Sequence, residues 1–266
     1  MTNLSSAGPP REVGARIPVA LRGIAKNYGG VHALRSIDLD LPAGQITGLV
    51  GDNGAGKSTI VKILSGVVQP TEGEILLDGV AKELASPPEA LERGIETVYQ
   101  DLALAPDLPV WFNFFMGHEI TTAGLGRALG ALDKRAMRDE TAAALRRLKI
   151  KIQDVRSTCG DLSGGQRQAI AVGRAINWGT RALLMDEPTA ALGTAQRDQV
   201  GALAREACER GLPVLIISHD LPWVQEICDS INVLYRGHIA AHLKRGEATI
   251  EEVIAHITGA IGARHV

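Results

Sequence analysis

Short, unbroken apolar runs that end in polar residues alternate along this chain with stretches of helical spacing. Ala182-Leu183-Leu184-Met185 runs into Asp186, and Val214-Leu215-Ile216-Ile217 runs into Ser218-His219. Runs this short and continuous predict parallel strands covered on both faces, with chemistry at their C-terminal ends. Residues 45–50 predict a further strand that feeds a helix over 59–64. Nearer the front, 37–41 and 75–77, the latter closed by Asp78-Gly79, predict short antiparallel strands. Met137, Ala144, Leu145 and Leu148 recur at helical spacing within 136–148, and the span from about 101 to 178 reads as mostly helical, an inserted subdomain. A short amphipathic helix around Val253-Ile254 is expected near the end, with no appended regulatory domain after it.

Composition narrows the classes. The chain has 266 residues, 45% of them hydrophobic, and a net charge of −2, enough for an ample core and without the basic excess of a nucleic-acid binder. The first 17 residues hold Gly8, Pro9, Pro10 and Gly14 with no apolar run, and read as a flexible tail rather than a signal peptide. No stretch approaches the roughly 20 apolar residues of a membrane span. Cys159, Cys208 and Cys228 lack metal-ligand spacing and suit a reducing compartment.

Chemistry enters with two glycine-rich stretches. Gly51-Asp52-Asn53-Gly54-Ala55-Gly56-Lys57-Ser58 lies between the strand over 45–50 and the helix over 59–64, the setting of a phosphate-binding P-loop. In such a loop backbone N–H groups curl round nucleotide phosphates, Lys57 neutralises their charge and Ser58 holds Mg²⁺; Thr59 opens the helix beside them. The second stretch is Leu162-Ser163-Gly164-Gly165-Gln166. Its plainer reading is a capping box between Ser163 and Gln166. A cap needs no glycines, however, and Gly164 and Gly165 strip the first helical turn of side chains, where unpaired N–H groups accept an anion.

The strand ends supply the remaining candidates. Asp186 suits a Mg²⁺ ligand opposite Ser58, and Glu187 next to it suits a base that polarises a water for in-line attack on a γ-phosphate. Gln100, after the strand-like Glu96-Thr97-Val98-Tyr99, is placed to reach the metal or that water. His219 suits a γ-phosphate contact, although a lone strand-end histidine is more often only a satisfied polar residue.

On these residues the chain resembles the ATP-binding subunits of ATP-binding cassette (ABC) transporters over about residues 18 to 240. The family's Walker A loop matches Gly51 to Ser58, its Q-loop glutamine Gln100, its signature Leu162 to Gln166, its Walker B aspartate Asp186, its catalytic glutamate Glu187 and its switch histidine His219. Tyr28, in Lys26-Asn27-Tyr28-Gly29-Gly30, resembles the aromatic that stacks on adenine. The resemblance implies an α/β P-loop NTPase (RecA-like) core with an antiparallel β-subdomain and an inserted helical subdomain at about 101–178, in one domain over 18–266. It also implies ATP and Mg²⁺ as cofactors, hydrolysis, and a nucleotide-sandwich dimer in which Ser163, Gly164 and Gly165 of one copy meet the ATP held by a second copy.

One departure stands out. Where many members carry Ser-Ala-Leu-Asp, this chain has Ala190-Ala191-Leu192-Gly193. An Ala-Leu-Gly ending and Tyr99-Gln100-Asp101-Leu102-Ala103-Leu104 resemble ATPases of monosaccharide importers of the fructose and ribose/xylose type. That group implies peripheral attachment at the cytoplasmic face of the inner membrane, integral-membrane permease subunits as partners, and a sugar-binding protein engaged indirectly. Trp111, Phe112, Phe114 and Phe115 fall where the family docks its permease, and equally suit a subdomain core. A soluble non-transport ABC ATPase is expected to carry two cassettes or a long coiled-coil insertion, and an ATP-sensing regulatory module to lack Glu187 or His219.

Overall fold

The computed structural model describes residues 16–122, 130–190 and 192–261. The chain divides into two compact units, one formed by residues 1–97, 179–187 and 207–266, the other by 98–178 and 188–206.

The first unit holds two sheets. Strands β1 (Val19–Tyr28), β2 (Val31–Leu41), β4 (Glu72–Leu77) and β5 (Val80–Lys82) form an antiparallel four-stranded sheet in the order β2-β1-β4-β5. Its inward residues, among them Val19, Leu21, Ile24, Leu34, Ile37 and Leu39, are buried, and over 37–41 of β2 they alternate with partly exposed neighbours, as a sheet with one covered face requires. The second sheet is six-stranded, in the order β10-β9-β3-β8-β7-β6. Here β3 (Ile46–Gly51), β6 (Ile95–Val98), β7 (Ala182–Asp186), β8 (Val214–Ile217) and β9 (Ser230–Tyr235) precede an antiparallel edge, β10 (His238–Lys244). The predicted runs are parallel: β3 pairs with β8 on one side and β9 on the other, and β7 pairs with β8. Leu49, Leu184, Leu215, Ile217 and Leu234 share a core with the antiparallel sheet, with helix α1 (Lys57–Leu64) and with Ala90 of helix α2 (Pro87–Glu92).

The turn between β9 and β10 fastens three segments. Gly237 N–H donates to the Ala55 carbonyl at 3.0 Å, and the Gly237 carbonyl accepts from Arg35 N–H of β2 at 2.6 Å. A Cβ at Gly237 would stand 2.9 Å from the Ala33 carbonyl oxygen, so only glycine permits this approach. Helices α7 (Leu221–Ile227) and α8 (Ile250–Thr258) complete the unit; α8 begins with a full capping box between Thr249 and Glu252.

The second unit contains α3 (Val110–Phe115), α4 (Lys134–Arg147), α5 (Gly164–Trp178) and the start of α6 (Thr194–Glu209). Over 101–178 the described regular elements are helices, joined by turns and extended segments. Leu102 and Ala103 both adopt left-handed backbone, at φ 62° and 45°, which ends any helix there. Asn113, fully buried, organises the segment that leads into α3. Its Oδ1 accepts from Ala105 N–H at 2.7 Å, and its Nδ2 donates to the carbonyls of Ala105, Leu108 and Pro109.

The aromatic run falls mainly in the core of this unit. Trp111, Phe114 and Phe115 are at most 5% exposed, and the Trp178 indole packs edge-on to Phe115 while donating to the Phe114 carbonyl. Phe112 alone of the four is half-exposed. Residues 1–15 of the expected tail lie outside the described residues. Arg16, its penultimate member, is tied to the body: its guanidinium meets Asp78 at 2.8 Å and its carbonyl accepts from Ala43 N–H.

Candidate functional site

Strand register brings the first group of candidates to one edge of the parallel sheet. Leu49 of β3 pairs with Ile217 of β8, and Ile217 pairs with Asp186 of β7. Because these strands run the same way, Gly51, Glu187 and His219 emerge past the same level, on neighbours spaced about 4.8 Å apart.

The loop after β3 is shaped by its glycines. A Cβ at Gly51 would lie 2.3 Å from the Leu234 carbonyl oxygen, and one at Gly56 would lie 2.6 Å from Leu34 Cδ2 and 2.7 Å from the Ala33 carbonyl oxygen. Gly56 caps α1 with φ 113°. Ala55 is buried beneath the loop, while Asp52, Asn53, Gly54 and Ser58 are exposed or partly exposed around it. Thr59 N–H bonds the Gly56 carbonyl at 3.0 Å in the first turn. The Lys57 ammonium donates to the carbonyls of Gly51 at 2.8 Å and Asp52 at 2.9 Å, so the loop curls round its own lysine. Burial holds the Lys57 pKa below the usual lysine value, and Glu187, Asp52 and Asp186 pull it back up.

Glu187 sits in an unusual conformation. Its φ is +51°, left-handed backbone that costs a non-glycine residue about 1–2 kcal/mol, and its N–H is taken by the Ile217 carbonyl at 2.9 Å. The Glu187 carboxylate meets His219 Nδ1 at 2.8 Å. The glutamate side chain is 16% exposed and the histidine 77%, so the pair joins the sheet edge to the surface. Asp186 carries a raised pKa, first because it is buried and then because Glu187 adjoins it; Lys57 and Lys62 offset this.

A carboxylate pushed up by burial and by a like charge is a site that a cation would relieve. Asp186 and the Ser58 hydroxyl offer hard oxygen donors, which fit Mg²⁺ rather than a soft metal. Among the described residues no cluster of three or more His, Cys, Asp or Glu side chains forms a metal cage. Tyr28, at the end of β1, is 45% exposed, with the Lys26 ammonium 5.2 Å from its ring centre.

The remaining candidates belong to the second unit. Gln100 lies in the turn after β6. At the start of α5 the capping box is formed: Ser163 N–H donates to Gln166 Oε1 at 3.0 Å, and Gln166 N–H donates to Ser163 Oγ at 3.3 Å. Capping and anion reception are therefore compatible, because the box leaves the N–H groups of Gly164 and Gly165 without an acceptor among the described residues. The two glycines differ. A Cβ at Gly164 would face open space, whereas one at Gly165 would lie 2.5 Å from Cγ of Gln196. Sequence reading missed Gln196, and missed Asn113 as well, although a lone amide inside Trp111-Phe112-Asn113-Phe114-Phe115 is itself a signal of a buried, fully bonded side chain.

Residues 34–190 match the model of the family described as ABC transporter. The chain is 42% identical over 238 residues to the xylose/arabinose import ATP-binding protein XylG of Sulfolobus acidocaldarius, covering 90% of this chain and 92% of that one. It is 44% identical over 241 residues to the fructose import ATP-binding protein FrcA of Rhizobium meliloti, covering 90% and 93%. Among solved structures it is similar to a dimeric post-hydrolysis state of an ATP-binding cassette bound to ADP and Pi, with a TM-score of 0.70 and 25% identity over 85% of this chain and 98% of that one. With its α/β P-loop core and antiparallel β-sheet, the chain belongs to the ABC transporter family and is an ATP-binding cassette ATPase.

Proposed function

We propose that this chain energises monosaccharide uptake, hydrolysing ATP at the cytoplasmic face of the inner membrane for a separate integral-membrane permease that a sugar-binding protein supplies. Two copies act together, each as one domain over residues 18–266 with a helical subdomain inserted at about 101–178. The sugar class rests on the xylose/arabinose and fructose import relatives, which match nearly end to end. The chemical role rests on one observation above the rest: Glu187 and His219 joined at 2.8 Å, beside the lysine-centred loop.

ATP binds with its adenine on Tyr28 and its phosphates against the backbone N–H groups of Gly51, Asn53, Gly54, Ala55 and Gly56, with Lys57, Ser58 and Thr59 at the head of α1. Asp186, Ser58 and Gln100 hold Mg²⁺, which when bound neutralises charge on the phosphoryl oxygens. Glu187 takes a proton from the attacking water, and the His219 imidazole fixes that carboxylate and faces the γ-phosphate. The first turn of α5 in the partner copy, from Ser163 through Gly164 and Gly165 to Gln166, receives the γ-phosphate on unpaired N–H groups. Cleavage removes the shared anion, so the two copies part. Gln100 and the half-exposed Phe112 carry the change to the permease. Composition gives no reason to expect nucleic acid.

The expected effect of Glu187→Gln is a loss of hydrolysis of about 10²-fold or more with ATP binding intact. Phosphate release by the chain reconstituted with its permease in lipid, and stimulated by binding protein loaded with one monosaccharide after another, tests the whole reading. Turnover that no sugar stimulates would overturn the import assignment, and normal turnover by Glu187→Gln would remove that residue from its role.

A further inference from the structure

Gln196 occupies a place that two glycines have vacated. It is the third residue of α6, and its Cγ lies 2.5 Å from where a Gly165 Cβ would stand, with its Cβ and Cδ at 3.5 and 3.6 Å from the same point. Its Oε1 lies 2.8 Å from where a Gly193 Cβ would stand. Gly193 in turn starts α6, its carbonyl accepting from the N–H groups of Gln196 at 3.1 Å and Arg197 at 3.0 Å. The side chain is exposed, yet it spans from the first turn of α5 to the first turn of α6 within one compact unit.

The middle of the side chain, not its flexible tip, makes the close approach to Gly165. A side chain at position 165 would have to displace the middle of the Gln196 side chain, so the glycine is what admits it there. The space it fills adjoins Gly165, whose N–H is one of the two donors left unpaired by the Ser163–Gln166 box. The other end of the contact is Gly193, six residues along the chain from Glu187.

We infer that Gln196 is a positioning residue for closure of the nucleotide-bound pair: by packing over Gly165 and against Gly193, it holds the first turn of α5 in the geometry that receives the γ-phosphate of the partner's ATP. This rests on the two-copy reading proposed above. The property used is the bulk of the side chain over Gly165, so an unbranched residue of equal length without the amide serves in its place.

The test uses the chain with Glu187→Gln, whose proposed loss of hydrolysis would let the ATP-bound pair accumulate, with Gln196→Ala or Gln196→Met added. Light scattering as MgATP is titrated gives the concentration for half-maximal pairing, and a fluorescent ATP analogue at low protein concentration gives the affinity of the single subunit. Gln196→Ala is expected to raise the half-maximal concentration roughly five- to tenfold and leave single-subunit affinity unchanged, with Gln196→Met restoring pairing. Pairing by Gln196→Ala equal to that of the parent, an equal fall in single-subunit affinity, or Gln196→Met as weak as Gln196→Ala would each overturn the inference while leaving the two-copy reading intact. A parent that does not pair with MgATP at all would overturn both.

Discussion

At the scale of single residues, Glu187 is the one non-glycine candidate of the site whose backbone is left-handed. Glu187 holds φ +51°, and its left-handed turn is set by the bond from its N–H to Ile217. Glycine tolerates that conformation and alanine does not. Glu187→Gly is accordingly expected to be more stable than Glu187→Ala by about 1 kcal/mol, both being inactive, as urea unfolding will report. Asp186 supplies a second contrast. Its folded pKa is raised, so the folded protein binds a proton there more tightly than the unfolded chain, and ligand-free stability falls as pH rises from the ordinary carboxylate value through the raised one. Asp186→Asn should raise the Tm of the ligand-free protein at pH 7 by about 2 °C or more, with the gain gone near pH 3 to 4, where roughly the ordinary carboxylate range lies, and with Mg²⁺-dependent hydrolysis lost. The identity and order of these residues are legible in the sequence, because a phosphate loop and polar strand ends have fixed spacings. The strain at Glu187 is not legible, since it is imposed by a carbonyl on β8, 30 residues further along the chain.

At the scale of elements, strands with continuous burial announce themselves and segments held by single polar anchors do not. Strands β7 and β8 fall where unbroken apolar runs predict them, and β3 falls on the strand read over 45–50. The β9–β10 hairpin has a local signal of its own: Arg236-Gly237, at φ 45° and 84°, is a two-residue turn of the kind that matches strand twist. The segment 101–109 has no periodicity to read. Its order depends on Asn113, whose amide closes four bonds to backbone from inside an aromatic helix. Asn113→Ala leaves the Ala105 N–H without its acceptor at a cost of about 1–3 kcal/mol, whereas the Ala105, Leu108 and Pro109 carbonyls keep other donors, and amide hydrogen exchange at Ala105 should quicken about tenfold or more while the P-loop keeps its protection. The aromatic run shows the reverse ambiguity: composition alone could not divide core from surface, and packing assigns Trp111, Phe114 and Phe115 to the interior.

At the scale of the whole molecule, one phosphate loop and one signature helix occur in two different compact units of the same chain. Under the proposed two-copy reading, assembly state and nucleotide state are one variable. Gel filtration of Glu187→Gln should show apparent mass increasing toward twice the subunit's 28.2 kDa with MgATP, and returning to the single-subunit value when chelator removes the metal. An unchanged elution volume with saturating MgATP would count against the pairing. The departure at Gly193 belongs to this scale too, because the glycine admits Gln196 where a side chain would crowd it.

The clasp at Gly237 carries a consequence for how nucleotide is felt. One residue's N–H grips Ala55 beneath the phosphate cradle, and its carbonyl grips Arg35 on the sheet whose β1 ends in Tyr28. Under the proposed reading, a nucleotide lying on Tyr28 and in the loop would rest at both ends on segments that this single glycine ties together.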